Sequence, residues 1–221
     1  MNKTIKKIYK ASWQDKKYPE NLLSLPANER PQLLYMSGSM RKADKKAVAI
    51  IGTRRMTDYG KRMAAKFARE LAKNKVTIVS GLARGIDTIA HKAALSAGGR
   101  TIAVLGCGLD IVYPPENKSL AERIKNSGVI ISEFPLGTKP LGKNFLTRNR
   151  IISGLSLAVL VVEGARRSGT LSTASWAANQ GRDVFAIPGP IDSPLSAAPL
   201  YLIENGAQIA QKPKDILDSI V

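Results

Sequence analysis

This chain has little from which to build metal or disulfide chemistry. Its 221 residues include one cysteine, Cys107, and one histidine, His91. A disulfide within the chain is impossible, and no Cys/His metal site or other cofactor is expected. No apolar run approaches the ~20 residues of a membrane span. The basic N-terminus also lacks the apolar stretch of a signal peptide. A soluble, cytoplasmic protein with no membrane partner is expected. Acidic residues are scarce, with 17 Asp and Glu against 34 Lys and Arg, which leaves a formal charge of +17. That balance does not set the fold. It favours an anionic partner, nucleic acid first and a membrane surface second. No internal repeat or low-complexity tract is present, and the length suits one domain with a substantial core.

What the chain does have is a recurring turn. Ser80-Gly81-Leu82-Ala83-Arg84-Gly85-Ile86-Asp87 follows the β-branched run Val76–Val79 and precedes the helically spaced Thr88–Leu95. A glycine-containing strand-to-helix turn offers backbone N–H groups to an anion, usually phosphate. One such turn is equally well a plain βα connection with Arg84 in water. The pattern recurs, however. Gly52-Thr53-Arg54-Arg55 follows Ala47–Ile51, Gly106-Cys107-Gly108 follows Thr101–Leu105, and Gly164-Ala165-Arg166-Arg167-Ser168-Gly169-Thr170 follows Leu157–Glu163. In a parallel sheet all these turns lie at the edge where doubly wound folds bind ligands.

Residues 1–17 read as a basic N-terminal arm crowded with Lys3, Lys6, Lys7, Lys10, Lys16 and Lys17. Residues 18–46 read as a lead-in segment packed on the main domain, so that 18–221 form one unit. Helices are expected over Tyr59–Asn74, Thr88–Ala97, Asn117–Asn126, Phe145–Gly154, Leu171–Gln180, Leu200–Asn205 and Lys214–Ile220. Strands are expected at Val129–Ser132, Asp183–Ile187 and Gln208–Ala210 besides those above. The alternation implies an α/β fold, a doubly wound and mostly parallel sheet with helices on both faces. Near-continuous apolar strands such as Leu157–Val162 fit burial on both sides.

Two constellations could carry chemistry. Asp87 and His91, four apart on one helix, could act as a carboxylate–imidazole pair. With no nucleophile or third group in sight, a helix-stabilising Asp87 and a packed His91 fit better. The second is the Gly/Pro-rich loop leading to Lys143-Asn144-Phe145-Leu146-Thr147-Arg148-Asn149-Arg150. Cations beside an aromatic suit phosphates and a stacked base. A core Phe145 with Arg148 and Arg150 on the surface is the equal alternative.

The chain resembles the DNA-processing protein A family (DprA, also called Smf). The matching stretches are Val48–Arg55, Ser80–Asp87, Ala103–Asp110, Tyr113-Pro114-Pro115-Glu116-Asn117, Ser132–Pro135, Arg148–Gly154 and Arg167–Leu171, within a similarity from about Tyr18 to Asp218. The resemblance implies an extended Rossmann-like domain that binds single-stranded DNA. It also implies protection of DNA in natural transformation, loading of the RecA recombinase, and a homodimer. Carried over, Arg54, Lys143, Phe145, Arg148 and Arg150 would line the DNA pocket. Ser80, Gly81, Arg84, Gly85, Ser168 and Gly169 would shape it, and Gly52, Thr53, Asn144, Asn149 and Arg167 complete the candidate set. Many members carry an extra N-terminal helical domain and a C-terminal winged helix, for which 221 residues leave no room. The chain departs from the family pattern at Leu146, Ala198 and Leu200.

The alternative is a nucleotide-binding or nucleotide-hydrolysing protein. The fold is similar to that of phosphoribohydrolases that release cytokinin bases and carry Gly-Thr-x-x-Glu. Here Gly169-Thr170-Leu171-Ser172-Thr173 puts threonine where the glutamate acts, and only Glu133 or Glu163 could replace it. A sensor that binds a small nucleotide without turnover would use the same turns. A binding protein, not an enzyme, is the leading expectation.

Overall fold

The computed structural model describes residues 8–220. β-Branched and small apolar runs form the strands: β1 (Tyr9–Ser12), β2 (Leu33–Gly38), β3 (Ala47–Ile51), β4 (Thr77–Ser80), β5 (Thr101–Val104), β6 (Val129–Ser132), β7 (Ala158–Val161), β8 (Asp183–Ala186) and β9 (Gln208–Ile209). Amphipathic segments between them form α1 (Glu20–Leu23), α2 (Asp58–Lys73), α3 (Ile86–Ser96), α4 (Lys118–Ser127), α5 (Gly142–Gly154), α6 (Gly169–Asn179), α7 (Ala197–Glu204) and α8 (Pro213–Leu217). The described strands make one sheet in the order β1-β2-β6-β5-β4-β3-β7-β8-β9. β3 to β9 run parallel, while β2 pairs antiparallel with both β1 and β6. The strand order reverses between β3 and β7, so the sheet is doubly wound, as the alternation of elements predicts.

Both faces of the sheet are covered. Ala47, Ala49, Ile51, Val159 and Val161 point to one side, against Leu22, Ile151, Ile152, Ala174 and Ala177 of α1, α5 and α6. Val48, Ile50, Ala158 and Leu160 point to the other, against Phe67, Leu71, Ile86 and Ala90 of α2 and α3. This period-two division of wholly apolar strands is what burial on two faces demands. Phe67 and Leu71 are fully buried, and burying each such side chain contributes about 1.5–3 kcal/mol.

The N-terminal part differs from the sequence reading. Tyr9–Ser12, placed there in a loose arm, form an edge strand whose Ala11 is fully buried. The lead-in segment supplies β2, a full member of the sheet. Short polar-flanked runs carry little periodic signal, and pairing of β1 with β2 and of β2 with β6 decides their state. Lys3, Lys6 and Lys7 lie outside the described residues.

One buried carboxylate ties the entry of β3 to its neighbours. Asp44 accepts two N–H groups of Arg100 at 2.7 Å each, the Thr77 hydroxyl at 2.9 Å and the Arg41 N–H at 2.8 Å. Its side chain is wholly shielded. Replacing it by Ala strands the Arg100 charge, so Asp44→Ala should lower unfolding stability by about 3–5 kcal/mol. Urea titration checks this, and a loss under about 1 kcal/mol would refute the assignment.

Candidate nucleic-acid interface

The turns that follow β3, β4 and β7 are stitched to one another. The Glu163 carbonyl accepts the Thr53 N–H at 2.7 Å, and the Thr53 carbonyl accepts the Ile86 N–H at 3.2 Å. Gly85 sits at φ +73°, and a Cβ there would run into the Thr53 carbonyl. Thr53 and Gly85 thus spend their backbone on holding turns together. Gly52 packs likewise, with the space of its missing Cβ 2.6 Å from the Ile86 side chain. The Glu163 carboxylate accepts the Thr57 N–H at 3.0 Å and the Thr57 hydroxyl. That seats it at the N-terminus of α2, where a negative charge is favoured.

The turn after β4 departs most from expectation. The Gly81 and Ala83 N–H groups donate to the Asp87 carboxylate at 3.0 and 3.3 Å. The chain's own carboxylate therefore fills the anion cradle that the glycines suggest. Ser80 is fully buried, and its hydroxyl donates to the Ile50 carbonyl at 2.7 Å. From α5, Arg148 donates to the Gly81 carbonyl at 2.9 Å and also to the Val104 carbonyl. A Cβ on Gly81 would lie 2.6 Å from that guanidinium, so only glycine fits. Arg148 is 5% exposed. The resemblance puts it on the DNA-lining surface, but the structure places it beneath the turn. Burial lowers its pKa to about 10, against the opposing pull of Asp87. Burial also raises the Asp87 pKa, opposed by the Arg148 charge and the two amide N–H groups.

Above this support lies a shallow pocket bordered by Arg54, Ala83, Arg84, Tyr113 and Phe145. Phe145, on the first turn of α5, is half-buried. Its centroid is 5.7 Å from that of Tyr113, at 35° between ring planes. The guanidinium carbons of Arg54 and Arg148 stand 5.5 and 5.8 Å from the same centroid, a spacing that favours cation–ring attraction. Gly106 gives the ring room, since a Cβ there would sit 2.7 Å from it. Phe145 is thus neither a full core residue nor a free surface ring. Arg84 is exposed and paired with Glu116, the side chains 56% and 50% accessible. Such a pair contributes little, so Arg84 can exchange partners. Tyr113 is the site residue that the sequence analysis does not single out, although an aromatic beside prolines just past a strand-end turn was a usable signal.

The remaining candidates divide. Arg54, Lys143 and Arg167 are exposed. Asn144 and Asn149 are buried, donating at 3.3 Å to the carbonyls of Lys139 and Gly169. Through Asn149, α5 reaches the start of α6, which has no side-chain cap and whose Ser168 hydroxyl is buried without a partner. Arg150 turns away from the pocket. It donates to both Glu133 oxygens at 2.6 Å and to the Glu29 carbonyl at 2.9 Å. It therefore fastens α5 to the lead-in segment instead of lining the pocket. Leu146 is exposed. Ala198 is fully buried, and its Cβ is 3.2 Å from where one on Gly164 would stand.

Asp87 and His91 do not pair. The Thr101 hydroxyl donates to the Ile78 carbonyl at 2.7 Å, so His91, whose Nδ1 lies 2.6 Å from that oxygen, donates to it. Nε2 is left unprotonated, buried and without a partner. Burial, and then the Arg148 charge, lower the His91 pKa from 6.5 to about 3. Between those values the unfolded chain binds a proton that the folded chain does not, so stability falls as pH drops below about 6.5. His91→Leu should flatten this acid limb relative to the unsubstituted protein. Urea midpoints from pH 7 to 4 check it, and an unchanged limb would exclude His91 as the source.

Residues 10–221 match the family model for DNA recombination-mediator protein A. Protein Smf of Escherichia coli (strain K12) is 47% identical over 204 residues, which is 92% of this chain and 54% of that protein. DNA processing protein A (DprA) from Streptococcus pneumoniae superposes with a TM-score of 0.90 at 42% identity, covering 96% of this chain and 74% of the other. DNA processing protein A from Helicobacter pylori, solved to describe its single-stranded DNA binding mode, gives 0.84 at 33% identity, covering 96% and 95%. The chain spans about half the length of the Smf proteins it matches, 54% and 52% of two of them. With the family model matched over residues 10–221 and the doubly wound sheet superposing on solved relatives, the chain belongs to the DNA recombination-mediator protein A family.

Proposed function

We propose that this chain binds single-stranded DNA across the C-terminal edge of its parallel strands, as a binding protein that serves DNA processing in transformation. The observation that carries this reading is the half-buried Phe145 ring, set beside Tyr113 and under Arg54 in an open basic pocket. Arg54, Lys143 and Arg84 meet phosphates, while a base rests against the aromatic pair. Arg84 trades Glu116 for phosphate. Arg148 adds its charge from below and keeps the turn rigid. A duplex hides its base faces, so a shallow aromatic pocket favours single strands. The Helicobacter pylori relative, described for single-stranded DNA binding, supports the same assignment. Handover of the strand to RecA and a homodimeric assembly belong to this proposal, the first resting on the recombination-mediator family.

The geometry favours binding over glycosidic cleavage. Cleavage needs a carboxylate placed at the sugar. Thr173 offers only a buried hydroxyl, 3.4 Å from the Gly169 carbonyl. Glu133 is held by Arg150, and Glu163 by the start of α2.

With a few phosphates neutralised, the logarithm of the binding constant should fall with log salt by ~0.7 per contact. Arg54→Glu should weaken binding strongly and reduce that slope by about one contact. Anisotropy titrations of a labelled oligothymidine at several salt concentrations measure both. Absence of binding at low salt by a folded protein would defeat the proposal.

Phe145→Ala should cost about 1–3 kcal/mol of single-strand affinity. Because the ring is only half-buried, its loss should lower the melting temperature less than a core Phe→Ala does. A folded variant with unchanged affinity would remove the ring from the site.

A further inference from the structure

A cavity far larger than the basic pocket at the strand C-termini is also present. It lies at the other end of the sheet, where β2 ends, β3 begins and α1 passes over them. Its volume is about 670 Å³, within the ~300–1,000 Å³ range of small-molecule sites. Cations from two separate connections border it. Lys16 and Lys17 come from the turn after β1, and Arg41, Lys42 and Lys45 from the link between β2 and β3.

The acids nearby, Asp15, Glu20 and Asp44, offset these charges only in part, with Asp15 acting on Lys17. Asp44 is buried and held by Arg100. Asp15 accepts the Ser12 N–H and hydroxyl at 2.6 and 2.7 Å. Among the described residues, no carboxylate pairs with Lys16, Lys42 or Lys45. Glu20, in the first turn of α1, is the remaining lining acid. The rest of the lining is largely apolar, with Tyr18, Pro19, Leu23, Met40 and Leu155. Leu23 is 43% exposed.

An apolar wall beside a rim of cations matches a molecule with one planar apolar end and one multiply charged anionic end. We infer that this cavity is a second site, which binds a nucleotide unit with its base against Leu23 and Met40 and its phosphates at Lys16, Lys42 and Lys45. The unit is either a free nucleotide or the phosphorylated end of a strand. Neither the turns nor the aromatic pair of the DNA pocket takes part, so the two sites are separable by substitution.

The test uses the full chain and isothermal titration calorimetry with ADP, adenosine, pyrophosphate and a 5′-phosphorylated oligothymidine. Arg54→Glu serves as the background in which the other edge is disabled. ADP should bind Arg54→Glu as it binds the unsubstituted chain. Binding should weaken at least about tenfold in the double variant Lys42→Glu/Lys45→Glu, where two attractions become repulsions. Both lysines are exposed, and thermal melting verifies that the variant folds. Adenosine and pyrophosphate should each bind at least about tenfold more weakly than ADP, since each lacks one half of the recognition. If the oligonucleotide binds the Arg54→Glu protein through the same lysines and ADP does not, the ligand is a strand end. If ADP binds and the oligonucleotide does not displace it, the ligand is a free nucleotide. The inference is overturned if neither ligand binds up to about 1 mM. It is overturned equally if binding survives Lys42→Glu/Lys45→Glu, if it vanishes in Arg54→Glu, or if pyrophosphate alone binds as tightly as ADP.

Discussion

The backbone of Gly81 joins two buried charges, and the strand-end edge of the sheet is built around it. Its N–H goes to Asp87 and its carbonyl to Arg148. The two ionic groups stand on either side of one backbone unit, each oriented by hydrogen bonds to main-chain atoms. An isolated charge in such a place would be expensive, and removing either partner would leave the other uncompensated. The turn is therefore specified by α3 and α5 together. Leu82, at φ +58° and fully buried, is held in that uncommon conformation, with its carbonyl accepting the Asn117 amide at 2.9 Å. Such backbone strain persists where surrounding contacts over-determine it.

This support explains the division of labour among the cations of the pocket. A charge that must meet a phosphate has to be near water and free to change partners. Arg54, Lys143 and the loosely paired Arg84 satisfy that condition. Arg148 turns Nη1 to two interior carbonyls, while its Nε is buried without a partner, and Arg150 donates to the Glu29 carbonyl and to Glu133. They set the position of α5 and with it the Phe145 ring. In the same way Glu163 and Thr53 link the two halves of the sheet at the point where strand order reverses. The turns after β3, β4 and β7 thus form one hydrogen-bonded rim, and in the proposed function the exposed side chains on it meet the strand.

The cavity at the opposite end of the sheet follows a different logic. Its buried acid, Asp44, is neutralised within the fold, and its cations stand on flexible stems at the border. Of the two edge strands beside it, β2 runs against the rest of the sheet, while β1, antiparallel to β2, runs with it. The segment that follows β1 and the link from β2 into β3 border it together.

The sequence alone determined the α/β alternation, the two-faced burial of the central strands and the placement of the glycine turns at one edge. These depend on local periodicity and on the steric freedom of glycine, which are properties of short segments. It also showed which aromatic and which cations lie near one another along the chain. It could not show that Tyr9–Ser12 and Leu33–Gly38 join the sheet, because their pairing is between distant segments. Nor could it show that Asp87 occupies the amide groups of its own turn, or that Arg148 points inward while Arg54 remains outside. Arginine looks the same in either role along a sequence. Only tertiary packing decides whether its guanidinium finds carbonyls in the interior or water at the rim, because that choice depends on which helix, turn and strand end meet at one point.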